Sequence, residues 1–78
     1  MSIVTLNKMG VGESGTIEEL AGVGAVCHRL LEMGITRGTK VEVVRFAPLG
    51  DPIDIKVRGY HLSLRRQEAE VIRVLKQD

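Results

Sequence analysis

From residue 53 onward the chain is written in twos. In IDIKVR (53–58), Ile53, Ile55 and Val57 fall on one side, and Asp54, Lys56 and Arg58 on the other. HLSLR (61–65) sets Leu62 and Leu64 against His61 and Ser63, and VIRVL (71–75) points Ile72 and Val74 inward. This is the period of a strand with one buried face. The preceding run, KVEVVRFA (40–47), breaks the rule: Val41 and Val43 share one face, Val44 and Phe46 the other. That strand is either covered on both sides or shifted by a one-residue bulge. Between the runs stand PLGDP, the tight Gly59-Tyr60 connection, and RQEAE, which is too short for a lasting helix and forms a single helical turn. Short strands at this spacing predict a small sheet curled on itself.

Upstream, Ile3 to Leu6 form a brief opening strand and GTIEEL (15–20) a second, with Ile17 and Glu18 on opposite faces. Then the period changes. Val23, Val26, Cys27, Leu30 and Met33 make the stripe of an amphipathic helix, with His28, Arg29 and Glu32 on its wet side. Gly34 ends the helix, because glycine takes a left-handed conformation without a Cβ clash. ITRGT is a loop that turns at Gly38. The fold class expected is mainly β: a small, partly open SH3-like barrel with one inserted α-helix and a helical turn before the last strand. Closure would also relieve the exposed-edge problem.

Gly10, Gly12 and Gly15 have the spacing G-x-G-x-x-G, which elsewhere cradles dinucleotide phosphates. The pattern carries that meaning only between a strand and a helix, and here a strand comes next. Glu13, Glu18 and Glu19 would crowd an anion, with no lysine in the loop. The glycines are expected to serve a tight turn at positive φ.

Seventy-eight residues, 44% hydrophobic and 27% charged, predict one globular domain over 1–78. No apolar run is long enough to span a bilayer or act as a secretory signal, so a cytosolic protein without membrane insertion is expected. The single cysteine, Cys27, cannot form an internal disulfide. Net charge is +1, which argues against a nucleic-acid partner, although Lys56, Arg58, Arg65, Arg66, Arg73 and Lys76 gather in the last third. With no Trp, one Phe and one Tyr, the chain lacks base-stacking platforms.

Cys27 and His28 lie about 100° apart round a helix and cannot chelate one ion unaided, and His61 sits on the outer face of a strand. No Cys or His pair has metal-site spacing, so no metal site and no cofactor are expected. Cys27 and Met33 read as packing residues. No stretch would hold a nucleophile, a base and an orienting group together, so no catalytic residue is assigned.

The segments LLEMGITRGTKVEVV, APLGDPIDIKVRGY and LSLRRQEAEVI, together with the opening LNKMGVGESGTIEEL, resemble the FeoA family over nearly the whole chain. These are small cytosolic accessory proteins of bacterial ferrous iron uptake. The resemblance implies an SH3-like barrel, no enzymatic activity, and a partner in the membrane-embedded GTPase FeoB that moves Fe²⁺. His28 stands where such proteins often carry a basic residue. A similar barrel closes iron-dependent repressors, so a metal-responsive regulatory domain is the alternative, although no helix-turn-helix precedes the barrel here. A third reading, an RNA-binding barrel, rests on the basic last third alone. A weak homo-oligomer is left open.

PLGDP is the candidate contact loop. Pro48 and Pro52 fix φ, Gly50 admits a positive φ, and Asp51 can bond its own backbone in an Asx turn. Leu49 at its tip is either an exposed anchor for a partner's pocket or a lid folded back on the core. Leu31 on the helix is expected half exposed, with Arg29 at the rim of the same docking surface. The candidate partner-binding residues are therefore Leu49, Gly50, Asp51, Leu31 and Arg29. Arg65 and Arg66 either meet acidic groups of the partner or are solvated.

Overall fold

A computed structural model describes residues 2–22 and 24–76. Strand β1 (Ser2–Thr5) runs into a 3-10 turn (Leu6–Lys8), then come β2 (Ser14–Leu20) and helix α1 (Ala25–Glu32). Strands β3 (Lys40–Phe46), β4 (Ile53–Val57) and β5 (Tyr60–Leu64) follow, then the single turn α2 (Arg66–Ala69) and β6 (Ile72–Lys76). All pairings are antiparallel, in the order β1-β6-β2-β3-β4-β5. The fold is SH3-like, but β1 and β5 end the sheet instead of pairing with each other. The expectation that closure would remove the edges is thus corrected. The 3-10 turn packs on α2 instead.

Two bulges bend the sheet. In β3 the register slips between Val43 and Arg45, leaving Val44 as the extra residue. Val41 and Val43 are buried before the slip, and Phe46 packs on the core after it. The mixed facing of KVEVVRFA is therefore a bulge, which changes the parity of the buried face. A second slip, between Ile17 and Glu19, does the same for β2: Ile17 is buried before it and Leu20 packs on the core after it.

The core joins Ile53, Ile55, Val57, Leu64, Ile72 and Val74, as the alternation predicts, to Leu6, Met9, Leu30 and Ile35. Leu6 reaches it from the 3-10 turn, not from the opening strand. The stripe on α1 is narrower than predicted: Leu30 is buried and Met33 packs on the core, but Val26 is 43% exposed. Val23 lies outside the described residues. Because α1 has only eight residues and rests on the barrel by its C-terminal turn, its first turn stands clear. That last turn ends in a Schellman pair: Gly34 N donates to Leu31 O at 3.0 Å and Ile35 N to Leu30 O at 3.0 Å, with Gly34 at φ +90°.

Of the three spaced glycines, only Gly12 has positive φ (+86°), which corrects the uniform turn reading. Gly10 donates its N–H to the Glu13 carboxylate at 2.6 Å, and the other Glu13 oxygen lies 2.5 Å from Lys76 Nζ. The loop thus turns the Gly10 N–H onto its own carboxylate, and it leads into β2 instead of a helix.

On the outer face Arg45, Asp54 and Ser63 line up across three strands: Ser63 Oγ donates to Asp54 Oδ1 at 2.6 Å, and Arg45 Nε to Oδ2 at 2.7 Å. The Ser63 bond first, then the Arg45 bond, holds the Asp54 carboxyl below its ordinary value. A depressed native value stabilises the fold fully above the unfolded-state value, and the gain is lost as pH falls through the native one. Asp54→Asn should therefore be less stable than the parent at neutral pH. The gap should narrow only once pH drops below the ordinary carboxylate range, as read by urea denaturation across a pH series.

Candidate docking surface

The loop between β3 and β4 is pinned at its base and across its turn. Ala47 N donates to Pro52 O at 3.0 Å and Gly50 N to Ala47 O at 2.7 Å, with Gly50 at φ +84°. The Asp51–Pro52 peptide is cis. Asp51 does not close an Asx turn on its own backbone, as the sequence suggested. Its Oδ1 accepts the Arg66 N–H at 3.1 Å, fastening the loop to the first turn of α2. That N–H has no partner within so short a helix, so a carboxylate there satisfies it. Of the two placements open to Leu49, the structure takes the outward one: the side chain is 95% exposed at the tip of a loop held from behind.

Helix α1 is fastened to the same element. Arg29 Nη1 lies 2.8 Å from Glu68 Oε2, while Glu68 Oε1 accepts the Arg65 N–H at 2.8 Å. Glu68 is buried, so its charge is matched by one guanidinium and one main-chain donor. Arg29 itself stays 63% exposed. Leu31 is 46% exposed, as expected, but leaves α1 about 200° round the axis from Arg29. The loop and α1 are thus both braced by α2, while Arg29 and Leu31 face different sides.

Three connections escaped the sequence reading. Arg58 adopts φ +48° beside Gly59 at +83°, so the two-residue turn that joins β4 to β5 is Arg58-Gly59, one residue earlier than the expected Gly59-Tyr60. Its Nη2 donates to Thr36 Oγ1 and Thr39 Oγ1, each at 3.1 Å. Tyr60 donates its hydroxyl to Met33 O at 2.5 Å, capping a carbonyl at the end of α1. Glu68 was legible only as the fourth residue of R-x-x-E, a capping pattern obscured because arginine replaces the usual Ser, Thr or Asp. Among the described residues no three His, Cys, Asp or Glu side chains converge in a metal-holding group. Cys27 is half-buried and His28 and His61 are exposed. Among the described residues no helix is long and apolar enough to cross a membrane.

A bent antiparallel sheet of six short strands with one inserted helix is the plan of a small SH3-like domain. The FeoA domain model matches residues 4–76, and the chain belongs to the FeoA family. A Porphyromonas gingivalis Fe(2+) transport protein A/Fe(2+) transporter FeoB fusion protein is 38% identical over 69 residues. Those residues are 88% of this chain but 8% of that relative's length. The solution structure of Chlorobium tepidum FeoA is 40% identical with a TM-score of 0.83, covering 96% of this chain and 73% of its own. The zinc complex of Stenotrophomonas maltophilia FeoA, an SH3 domain protein, is 28% identical with a TM-score of 0.80, covering 91% and 88%. A manganese-dependent transcriptional repressor superimposes with a TM-score of 0.89 at 16% identity, covering 99% of this chain and 38% of its own, a likeness of fold alone. Within that family, the Porphyromonas relative is named for Fe(2+) transport.

Proposed function

We propose that the chain is a non-enzymatic, cytosolic accessory module of ferrous iron uptake that docks on a FeoB-type membrane GTPase transporter through the 47–52 loop. The observation that carries this reading is Leu49: a large apolar side chain in water, on a turn whose two hydrogen bonds and Asp51 brace keep it there without further ordering on binding. Leu31 offers a second exposed apolar side chain on α1, whereas Arg29 faces another side of the helix and serves to tie α1 to α2. The fusion relative supports the choice of partner, since one polypeptide there holds both components at a high effective concentration. Such a module acts by preferring one state of the transporter, and so shifts its population.

Leu49→Asp tests the docking loop. The side chain touches nothing that stabilises the barrel, so stability should change by no more than about 0.5 kcal/mol. Capture of a detergent-solubilised FeoB-type transporter should fall tenfold or more, the loss of about 1.4 kcal/mol that a central anchor carries. Equal capture by the aspartate variant would take the loop out of the site. Steep loss of wild-type capture with rising salt would favour a charged interface over an apolar one.

A further inference from the structure

The sheet has two ends, and the one at β5 is open for pairing. The hairpin β4–β5 closes on Val57 and Tyr60 across a two-residue turn, and the register continues Ile55 to Leu62 and Ile53 to Leu64. In an antiparallel ladder the closing pair and every second pair beyond it exchange both main-chain bonds, so Tyr60, Leu62 and Leu64 bond inward to β4. The N–H and C=O groups of His61 and Ser63 point away from the sheet, and no main-chain bond from the described residues reaches them. The usual guards of an edge are missing: β5 holds no proline, no lysine and no bulge.

The surroundings state what kind of strand would fit. An arginine stands at each end of the strand, Arg58 in the turn before Tyr60 and Arg65 directly after Leu64, both exposed. Lys56 lies opposite His61 on the outer face, one strand in from the edge. Among the described residues Lys56 and Arg65 have no carboxylate partner, while Arg58 is turned to Thr36 and Thr39 and the nearby Asp54 is engaged by Arg45 and Ser63. On the other face Tyr60 is 41% exposed and Leu62 half-buried, an apolar shoulder along the same edge.

We infer that β5 accepts an extended acidic segment of a partner protein as a seventh strand, bonded to the main chain of His61 and Ser63. Apolar side chains of that segment would lie against Tyr60 and Leu62, and its carboxylates against Lys56 and Arg65. Alternate apolar and acidic residues satisfy both faces at once. A second copy of this chain fits less well, because antiparallel self-pairing would bring the arginines at the strand ends together. This edge is separate from Leu49, and the inference stands without the docking reading.

The probe is an acetylated, amidated octapeptide alternating valine and glutamate, titrated into the full chain and followed by amide chemical shifts and hydrogen exchange. Saturable shifts centred on residues 60–65 are expected, with slowed exchange at the His61 and Ser63 amides. Lys56→Glu combined with Arg65→Glu, both at exposed positions, should weaken the glutamate peptide at least tenfold and strengthen the matching valine–lysine peptide. Leu49→Asp should leave the titration unchanged. The inference is overturned by the absence of saturable shifts up to millimolar peptide, by shifts centred elsewhere, or by equal affinity for the two peptides. Concentration-dependent shifts at His61 and Ser63 without peptide would replace it with self-pairing.

Discussion

Gly15→Ala should leave the chain largely unfolded at temperatures where the parent is folded. A Cβ at this position would sit 2.4 Å from Leu75 O and 2.6 Å from Val74 Cγ1, both on β6. Gly15 is buried with β3 on one side and β6 on the other, at Val41 and Lys76, so neither strand can withdraw without breaking a ladder. Overpacking against backbone at such a place costs about 3 kcal/mol, at the upper end of the usual range. In a domain this small that is most of the available stability, and it corresponds to a fall in Tm of roughly 12 °C or more. The neighbouring glycines set the scale. Gly12 has open space but φ +86°, so alanine there costs about 1 kcal/mol of left-handed strain. Gly10 lacks positive φ, and its Cβ would make ordinary contact with Glu13, so alanine should change little. The expected order, Gly15 far above Gly12 and Gly12 above Gly10, is checked by thermal melts of the three single variants. Equal effects at Gly10 and Gly15 would refute the close-crossing explanation.

Those three glycines also mark the limit of sequence reasoning. The strand that continues past Gly15 weighed against a phosphate cradle, but the sequence could not say that one glycine serves a turn and another a close crossing of strands. Conformation at Gly12 is local, whereas the need at Gly15 comes from a strand nearly sixty residues away. The same division runs through the fold. Ile53, Ile55, Val57, Ile72 and Val74 were legible because alternation is enforced residue by residue along one strand. Gly34 was legible as a helix stop because its cap is built from its immediate neighbours. The 3-10 turn at Leu6 was not, since its geometry depends on packing against α2. Val26 departs from its expected burial for a related reason: periodicity shows which side of a helix is apolar, not how much of its length meets a core. At the candidate site the loop and Leu49 could be singled out from Pro, Gly and Asp alone. What Asp51 and Arg29 hold could not, because Arg66 and Glu68 reach them only through the fold.

The second large effect is expected at the joint between α1 and β5. Gly34 sits at φ +90°, and a Cβ added to it would lie 2.7 Å from the Tyr60 hydroxyl, the group that donates to Met33 O. Gly34→Ala therefore carries about 1 kcal/mol of left-handed strain and displaces a hydrogen bond worth about 1 kcal/mol. Because the obstructing atom is the far end of a partly exposed tyrosine, the ring can swing aside, so the total should stay near ~2 kcal/mol and not approach that of Gly15. Tyr60→Phe removes only the hydroxyl and should cost about 1 kcal/mol, leaving a helix-end carbonyl to water. The double variant discriminates. Once the hydroxyl is gone there is neither a bond to displace nor an atom to strike, so Gly34→Ala with Tyr60→Phe should cost about the same as Gly34→Ala alone. A coupling of about −1 kcal/mol in the urea-denaturation cycle would show that the glycine and the tyrosine act as one device. Strict additivity would mean that the hydroxyl does not hold the helix end. That device fixes the angle at which α1 presents Leu31 and, from the same tyrosine, the start of the β5 edge. Gly34→Ala should accordingly broaden the amide signals of residues 31–36 and 60–62 together, while those of the 47–52 loop, braced independently by α2, stay sharp.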